Sequence, residues 1–167
     1  MKEIVLIIVA HSDDETIGMG STIKKHIKKG EEVIVISMTN GVGSRANSSL
    51  ENLNKRKKAS INASIELGFT WGNCYDFEDN KLDNYPLLEI VKCLENAKNN
   101  YKPSVVYTHS GADLNIDHRI LSNAVITAFR PQPNESCKEI RLFEIPSATD
   151  YGISNITGVF SPNLSRD

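Results

Sequence analysis

Ile4-Val5-Leu6-Ile7-Ile8-Val9 is an unbroken apolar run, β-branched and too short for a helix. That pattern predicts a strand buried on both faces of a parallel sheet. Helical spacing follows from about Glu15 to Lys29. It puts Ile17, Ile23 and Ile27 on an inner side and Lys24, Lys25, Lys28 and Lys29 outside, with Gly30 as the stop. Val33 to Met38 repeats the buried-strand pattern. A second helix is predicted from about Leu50 to Leu67, ended by Gly68, and a short strand from Cys74 to Phe77. Pro86 opens a third helix to about Asn99, with Leu87, Ile90, Val91 and Leu94 as its stripe. Val105 to Thr108 reads as a fourth strand and Asp117 to Phe129 as a fourth helix, stopped by Pro131 and Pro133. Ile140 to Ile145 alternates in polarity, as an edge or fifth strand does.

Strands that alternate with helices imply an α/β chain, a mainly parallel sheet with helices on both faces. Right-handed crossovers leave few arrangements, and the commonest three-layer order is 3-2-1-4-5. Its topological switch lies between the first and fourth strands, where ligands bind at the carboxyl ends. The 167 residues suit a single domain, with a core over 1–146 and a polar, loosely held tail over 147–167.

Charge narrows the partners. The 19 basic and 21 acidic residues leave a net charge of −2, too little to draw the chain to nucleic acid or an anionic membrane. No stretch reaches the roughly 20 apolar residues that a bilayer span needs. Cys74, Cys93 and Cys137 are widely spaced and form no CxxC, so a disulfide framework and a cysteine zinc site are not expected. A cytoplasmic protein is the expectation, and nothing argues against a homo-oligomer.

Two polar clusters sit where the topology predicts a crevice: His11-Ser12-Asp13-Asp14-Glu15 after the first strand, and His109 through His118 after the fourth. His11, Asp14 and His118 form a candidate catalytic zinc set, two imidazoles and one carboxylate with a position left for water. Such a metal brings the pKa of that water to about 7. Asp13, between two ligands, is a suitable general base. Asp13 or Asp14 could instead cap the helix that follows. Asp117 is either an N-cap or the carboxylate that orients a ligating imidazole. His109 points into the crevice, where it could polarise a carbonyl or protonate a leaving amine, or into packing. Asn115 could donate to substrate or hold its loop. In Gly41-Val42-Gly43-Ser44-Arg45, the arginine could bind phosphate or sugar oxygens. The Lys55-Arg56-Lys57-Lys58 run reads as a solvated helix face, and His26, among lysines, as a surface residue.

Val9-Ala10-His11-Ser12-Asp13-Asp14-Glu15-Thr16-Ile17-Gly18 resembles the AHPDDE signature of the PIG-L/LmbE-like N-deacetylases. Asn115-Ile116-Asp117-His118 resembles their HxDH motif, and Gly41 to Arg45 their G-x-x-S-R loop, in the same order along nearly the whole chain. The resemblance implies a Rossmann-like fold and zinc-dependent removal of acetyl groups from N-acetylated amino sugars, often N-acetylglucosaminyl conjugates. It implies His11, Asp14 and His118 as zinc ligands (another divalent metal would fit the same donors), Asp13 as base and Arg45 as a substrate contact. Ser12 stands where members carry Pro, Asn115 where many carry His, and Ala59 where many carry Glu. Members generally run longer, so the resemblance also implies a C-terminally shortened chain with part of the pocket wall missing. Two other classes fit clustered Asp and His on such a scaffold: a two-metal phosphoesterase and a non-catalytic sugar- or nucleotide-binding domain.

Overall fold

The computed structural model describes residues 2–41, 50–146, 148–151 and 158–163. The elements run β1 (Ile4–Val9), α1 (Asp14–Lys28), β2 (Glu32–Thr39), α2 (Leu50–Leu67), β3 (Thr70–Phe77), α3 (Leu87–Tyr101), β4 (Val105–His109), α4 (Ile116–Ala128) and β5 (Glu139–Phe143), with one 3₁₀ turn at Leu82–Asn84. All five strands are parallel, in the order β3-β2-β1-β4-β5. This is the order expected from the alternation of elements, with β1 at its centre.

The sheet divides the core in two because successive side chains point to opposite faces. Leu6 and Ile8 meet Ile34, Ile36, Ile90, Leu94, Leu121 and Val125, which is the α3/α4 face. Val5, Ile7 and Val9 meet Met19, Ile23, Val33, Val35 and Phe143, which is the α1 face. Burying one such aliphatic side chain stabilises the fold by roughly 1.5–3 kcal/mol. Gly18 lets α1 lie close over the end of β5, since a Cβ there would stand 2.8 Å from Phe143 Cδ2 and 2.9 Å from the Glu144 carbonyl oxygen.

Two expectations for α1 are corrected. Ile17 is 57% exposed, because at 3.6 residues per turn it stands about 120° around the helix from Ile23. His26 stands only about 60° from Ile23 and is buried, with Nε2 3.0 Å from the Tyr107 hydroxyl. β3 also begins earlier than Cys74: Thr70 and Trp71 already pair with Ile34 and Val35, and the register shifts across Gly72 and Asn73 before Cys74 pairs with Ser37.

Chain direction places the site. β1 leads through α1 to β2 on one side, whereas β4 lies on the other side of β1, so the two connections part above the carboxyl ends of β1 and β4. The His11–Glu15 segment leaves β1 there, and the Ser110–His118 segment leaves β4 there. Among the described residues, no helix is long and apolar enough to cross a membrane. The three cysteines are free thiols.

Candidate metal centre

Three donor atoms converge above β1 and β4. Asp14 Oδ2 lies 3.3 Å from His11 Nδ1 and 3.3 Å from His118 Nε2, and those two nitrogens are 3.4 Å apart. Zinc bonds of about 2.0–2.1 Å to N and O in a tetrahedral site imply donor–donor edges of about 3.3–3.4 Å. The triangle therefore matches the dimensions of one face of such a site. Two imidazole nitrogens and a carboxylate oxygen this close need either protons on the imidazoles or a cation between them. The donor set thus fits a divalent metal on both chemistry and dimension.

Each ligand is oriented from behind. The His11 backbone N–H donates to Asp14 Oδ2 at 3.0 Å, which ties the first two ligands together. His11 Nε2 faces Asp117 Oδ2 at 3.1 Å and Asp79 Oδ1 at 3.2 Å. Asp117 is fixed in turn, because Asn80 N–H donates to its Oδ2 at 2.7 Å and Leu82 N–H to its Oδ1 at 3.0 Å. His118 Nδ1 lies 3.0 Å from Asp113 Oδ2, which also accepts from the Thr149 hydroxyl at 2.9 Å. Metal-bound histidines are commonly held by such outer carboxylates.

Burial disfavours the charged form of His11, but hydrogen bonds to Asp117, Asp14 and Asp79 and the Asp14 charge outweigh it and push its pKa up to about 11. Burial likewise opposes charge on His118, and Asp113 and Asp14 outweigh it and raise that pKa. Burial also opposes the Asp14 carboxylate, and the imidazoles packed around it hold its pKa well below the usual range. The centre is thus an anionic pocket that attracts positive charge. Burial pushes the adjacent Glu15 carboxyl up to about 7.

Asp13 occupies the N-cap position of α1 without a side-chain capping bond. Its Oδ1 takes an ion pair of 2.6 Å from Arg56 Nη2, and its side chain is half exposed, next in sequence to the candidate donor Asp14. Arg56 Nε also donates to Ser12 Oγ at 3.4 Å. The reading of Arg56 as solvated is therefore corrected: α2 points this one arginine of the basic run inward. Asn115, not Asp117, caps α4, its Oδ1 accepting from Asp117 N–H at 2.8 Å and His118 N–H at 3.4 Å. That cap leaves the Asp117 carboxylate to His11.

His109 departs most from expectation. It has no exposed surface, and its ring stacks on that of His118 with centroids 3.8 Å apart and planes 7° apart. No face of it is open to substrate, so the expected carbonyl or leaving-amine role is not one this geometry offers. Arg45 lies outside the described residues. Ala148 and Thr149 are anchored on the site, through the Leu114 N–H bond to the Ala148 carbonyl at 3.0 Å and the Thr149–Asp113 bond, so the expected loose hold does not extend to them.

Sequence reasoning missed Asp79 altogether and missed the roles of Asp113 and Arg56. A signal existed for Asp79, which stands just past the carboxyl end of β3, on the rim where parallel sheets place their ligands.

Comparison with known proteins fits this geometry. The family model described as PIG-L, GlcNAc-PI de-N-acetylase, matches residues 6–129. An uncharacterised deacetylase of Escherichia coli K12, YaiS, is 30% identical over 148 residues, which is 86% of this chain and 74% of that protein. The structure of N,N'-diacetylchitobiose deacetylase from Pyrococcus horikoshii, complexed with its inhibitor MPG, superposes with a TM-score of 0.73 at 28% identity, covering 84% of this chain. This chain spans 60% of that enzyme's length. The zinc-inhibited form of the teicoplanin deacetylase Orf2 shares the fold, with a TM-score of 0.75 at 16% identity over 95% of this chain and 73% of its own.

Proposed function

Because the chain belongs to the PIG-L family of de-N-acetylases, we propose that it is a zinc-dependent hydrolase that removes the N-acetyl group from an N-acetylated amino sugar or sugar conjugate. The observation that carries this reading is the triangle of His11 Nδ1, Asp14 Oδ2 and His118 Nε2, with Asp13 beside it. The sugar class is supported by the Pyrococcus relative, whose named substrate is an N-acetylated disaccharide.

His11, Asp14 and His118 hold the metal. A divalent cation there supplies an electrophile for the acetyl carbonyl and a water that is nucleophilic at neutral pH. Asp13 accepts a proton from the attacking water, and the water oxygen bonds to the amide carbon. The carbon–nitrogen bond then breaks, and Asp13 returns the proton to the departing nitrogen, giving a free amine and acetic acid, which ionises to acetate in water. Arg56 keeps the Asp13 carboxylate pointed at the reacting atoms. Asp117 and Asp79 hold the proton on His11 Nε2, so that Nδ1 faces the metal with its lone pair. Asn115 keeps its Oδ1 in the α4 cap, and its amide N–H groups together with Arg45 serve the substrate.

The test is acetate release from a panel of N-acetylated sugars, nucleotide-linked sugars and thiol-precursor conjugates. It is run on the metal-stripped chain and after titration with zinc. Release from at least one sugar, restored at one zinc per chain, is the expected result. Zinc binding without acetate release from any member, or activity that needs two metals, would count against it.

A further inference from the structure

His109 is buried directly behind the metal ligands, and its hydrogen bonding fixes its chemical state. The Ala10 backbone N–H donates to His109 Nε2 at 3.0 Å. A backbone amide can only donate, so this nitrogen carries a lone pair, and the proton of the neutral ring is on Nδ1. Asp14 Oδ2 lies 3.3 Å from the same nitrogen. One nitrogen cannot accept from Ala10 and donate to Asp14 at once, and the Ala10 bond at 3.0 Å is the shorter, so the 3.3 Å approach of Asp14 is not a hydrogen bond to this nitrogen. Nδ1 is buried, with no hydrogen-bond partner among the described residues. The ring thus has neither a proton aimed at the reacting atoms nor a path to solvent.

What it does have is contact with every ligand-bearing segment. Through the Ala10 N–H it holds the Val9–Ala10 peptide, one residue before His11. Its face lies parallel on the His118 ring at 3.8 Å, and its edge touches Asp14. The Phe143 ring of β5 packs against it at a tilt of 46°, with centroids 4.9 Å apart. One side chain at the end of β4 therefore sets the spacing between the first ligand segment and α4, and excludes water from the rear of both.

We propose that His109 is a positioning residue, a neutral imidazole plate that locks the His118 ring and the Val9–Ala10 peptide beside the ligand triangle and transfers no proton. The inference rests on the reading of His11, Asp14 and His118 as metal ligands, and it makes a prediction that holds with no metal present. Long-range ¹⁵N–¹H spectra of the histidine-labelled, metal-stripped chain should show His109 protonated on Nδ1 and bare on Nε2. A proton on Nε2 would overturn the proposal whatever the chain catalyses.

Two variants then separate the plate from the acceptor. His109→Gln can still accept from Ala10 but has no ring, and should retain its melting temperature within a few degrees. Its zinc affinity, read by competition with a chromogenic chelator, should fall about tenfold, the lower end for losing an outer-shell partner. The visible spectrum of its cobalt form should change as the His118 ring tilts. His109→Phe keeps the plate but strands the Ala10 N–H, and should lose about 5 °C in melting temperature while keeping more of its zinc affinity than the Gln variant. Wild-type zinc affinity and an unchanged cobalt spectrum in both variants, with turnover lost, would assign His109 to the chemistry and defeat the proposal. If the unaltered chain binds no metal, the proposed function fails, while the tautomer and the two melting shifts still judge His109.

Discussion

The inner strands and the outer flank of this sheet are built to different standards. β1 is buried almost throughout, and the segments that leave β1 and β4 hold His11, Asp14 and His118 against partners that are themselves fixed. On the β3 side no residue of the strand is fully buried, and Ser64 is the one buried residue among the described side chains of α2. Ile61 and Ile65 of α2 are 46% and 74% exposed. Yet this thinly packed flank sends two side chains to the centre: Arg56 to Asp13, and Asp79 to the far side of His11. The difference separates holding from adjusting. The proposed ligands sit on segments that cannot move without opening the core, whereas Arg56, which pairs with the proposed base, and Asp79, one of the two carboxylates behind His11, arrive from the thinly packed side.

The comparison predicts a graded series of effects. Asp14→Ala removes the ligand that touches both histidines and should abolish stoichiometric zinc binding. Acetate release should drop by on the order of 10⁴-fold or more, read by metal analysis alongside the hydrolysis assay. Asp13→Asn should lower kcat by roughly 10²–10⁴-fold while zinc content stays at the level of the unaltered chain. A variant that keeps its metal and most of its rate would remove Asp13 from the base role. Ile8→Ala, in the centre of β1, should cost about 2–5 kcal/mol in urea unfolding of the metal-free chain. A cost below about 1 kcal/mol would mean that the inner strands are not the rigid half.

Much of this division was legible in the residues. The unbroken runs Ile4–Val9 and Val33–Met38 announced strands buried on both faces, and alternation with helices gave the order of the sheet. The convergence of His11, Asp14 and His118 was legible because the segments that carry them follow strands whose carboxyl ends meet at the switch point. What escaped depended on phase and on contacts between distant segments. A rotation of about 60° on α1 decides that His26 is buried among lysines. Nothing local in Lys55-Arg56-Lys57-Lys58 tells which cation turns inward, since the partner, Asp13, lies on another element. His109 was legible as a member of the site but not in its manner of working, which only the direction of the Ala10 N–H reveals.

Smaller effects probe the outer flank. Arg56→Met keeps the length of the side chain and removes the ion pair of 2.6 Å with Asp13. Turnover should fall on the order of tenfold with zinc affinity unchanged, because the base loses an orienting partner while the ligand triangle does not. A matching loss of zinc affinity would place Arg56 with the holding residues and blur the distinction between the two regions.

The smallest effect is expected at Ile65. Its side chain is 74% exposed on α2, one turn beyond Ile61, so replacing it by Lys removes little buried apolar area and introduces a charge that water can solvate. Ile65→Lys should therefore change unfolding free energy by no more than about 0.5 kcal/mol and leave acetate release as it was. The informative control is apparent mass by light scattering, measured on both chains at the same concentration. Equal masses and equal stability would establish that this face of α2 meets solvent, as its exposure implies. A loss above about 1 kcal/mol together with a lower mass would show that a second copy covers Ile61 and Ile65. The outer flank would then be held as firmly as the inner strands, by contacts that a single chain does not contain.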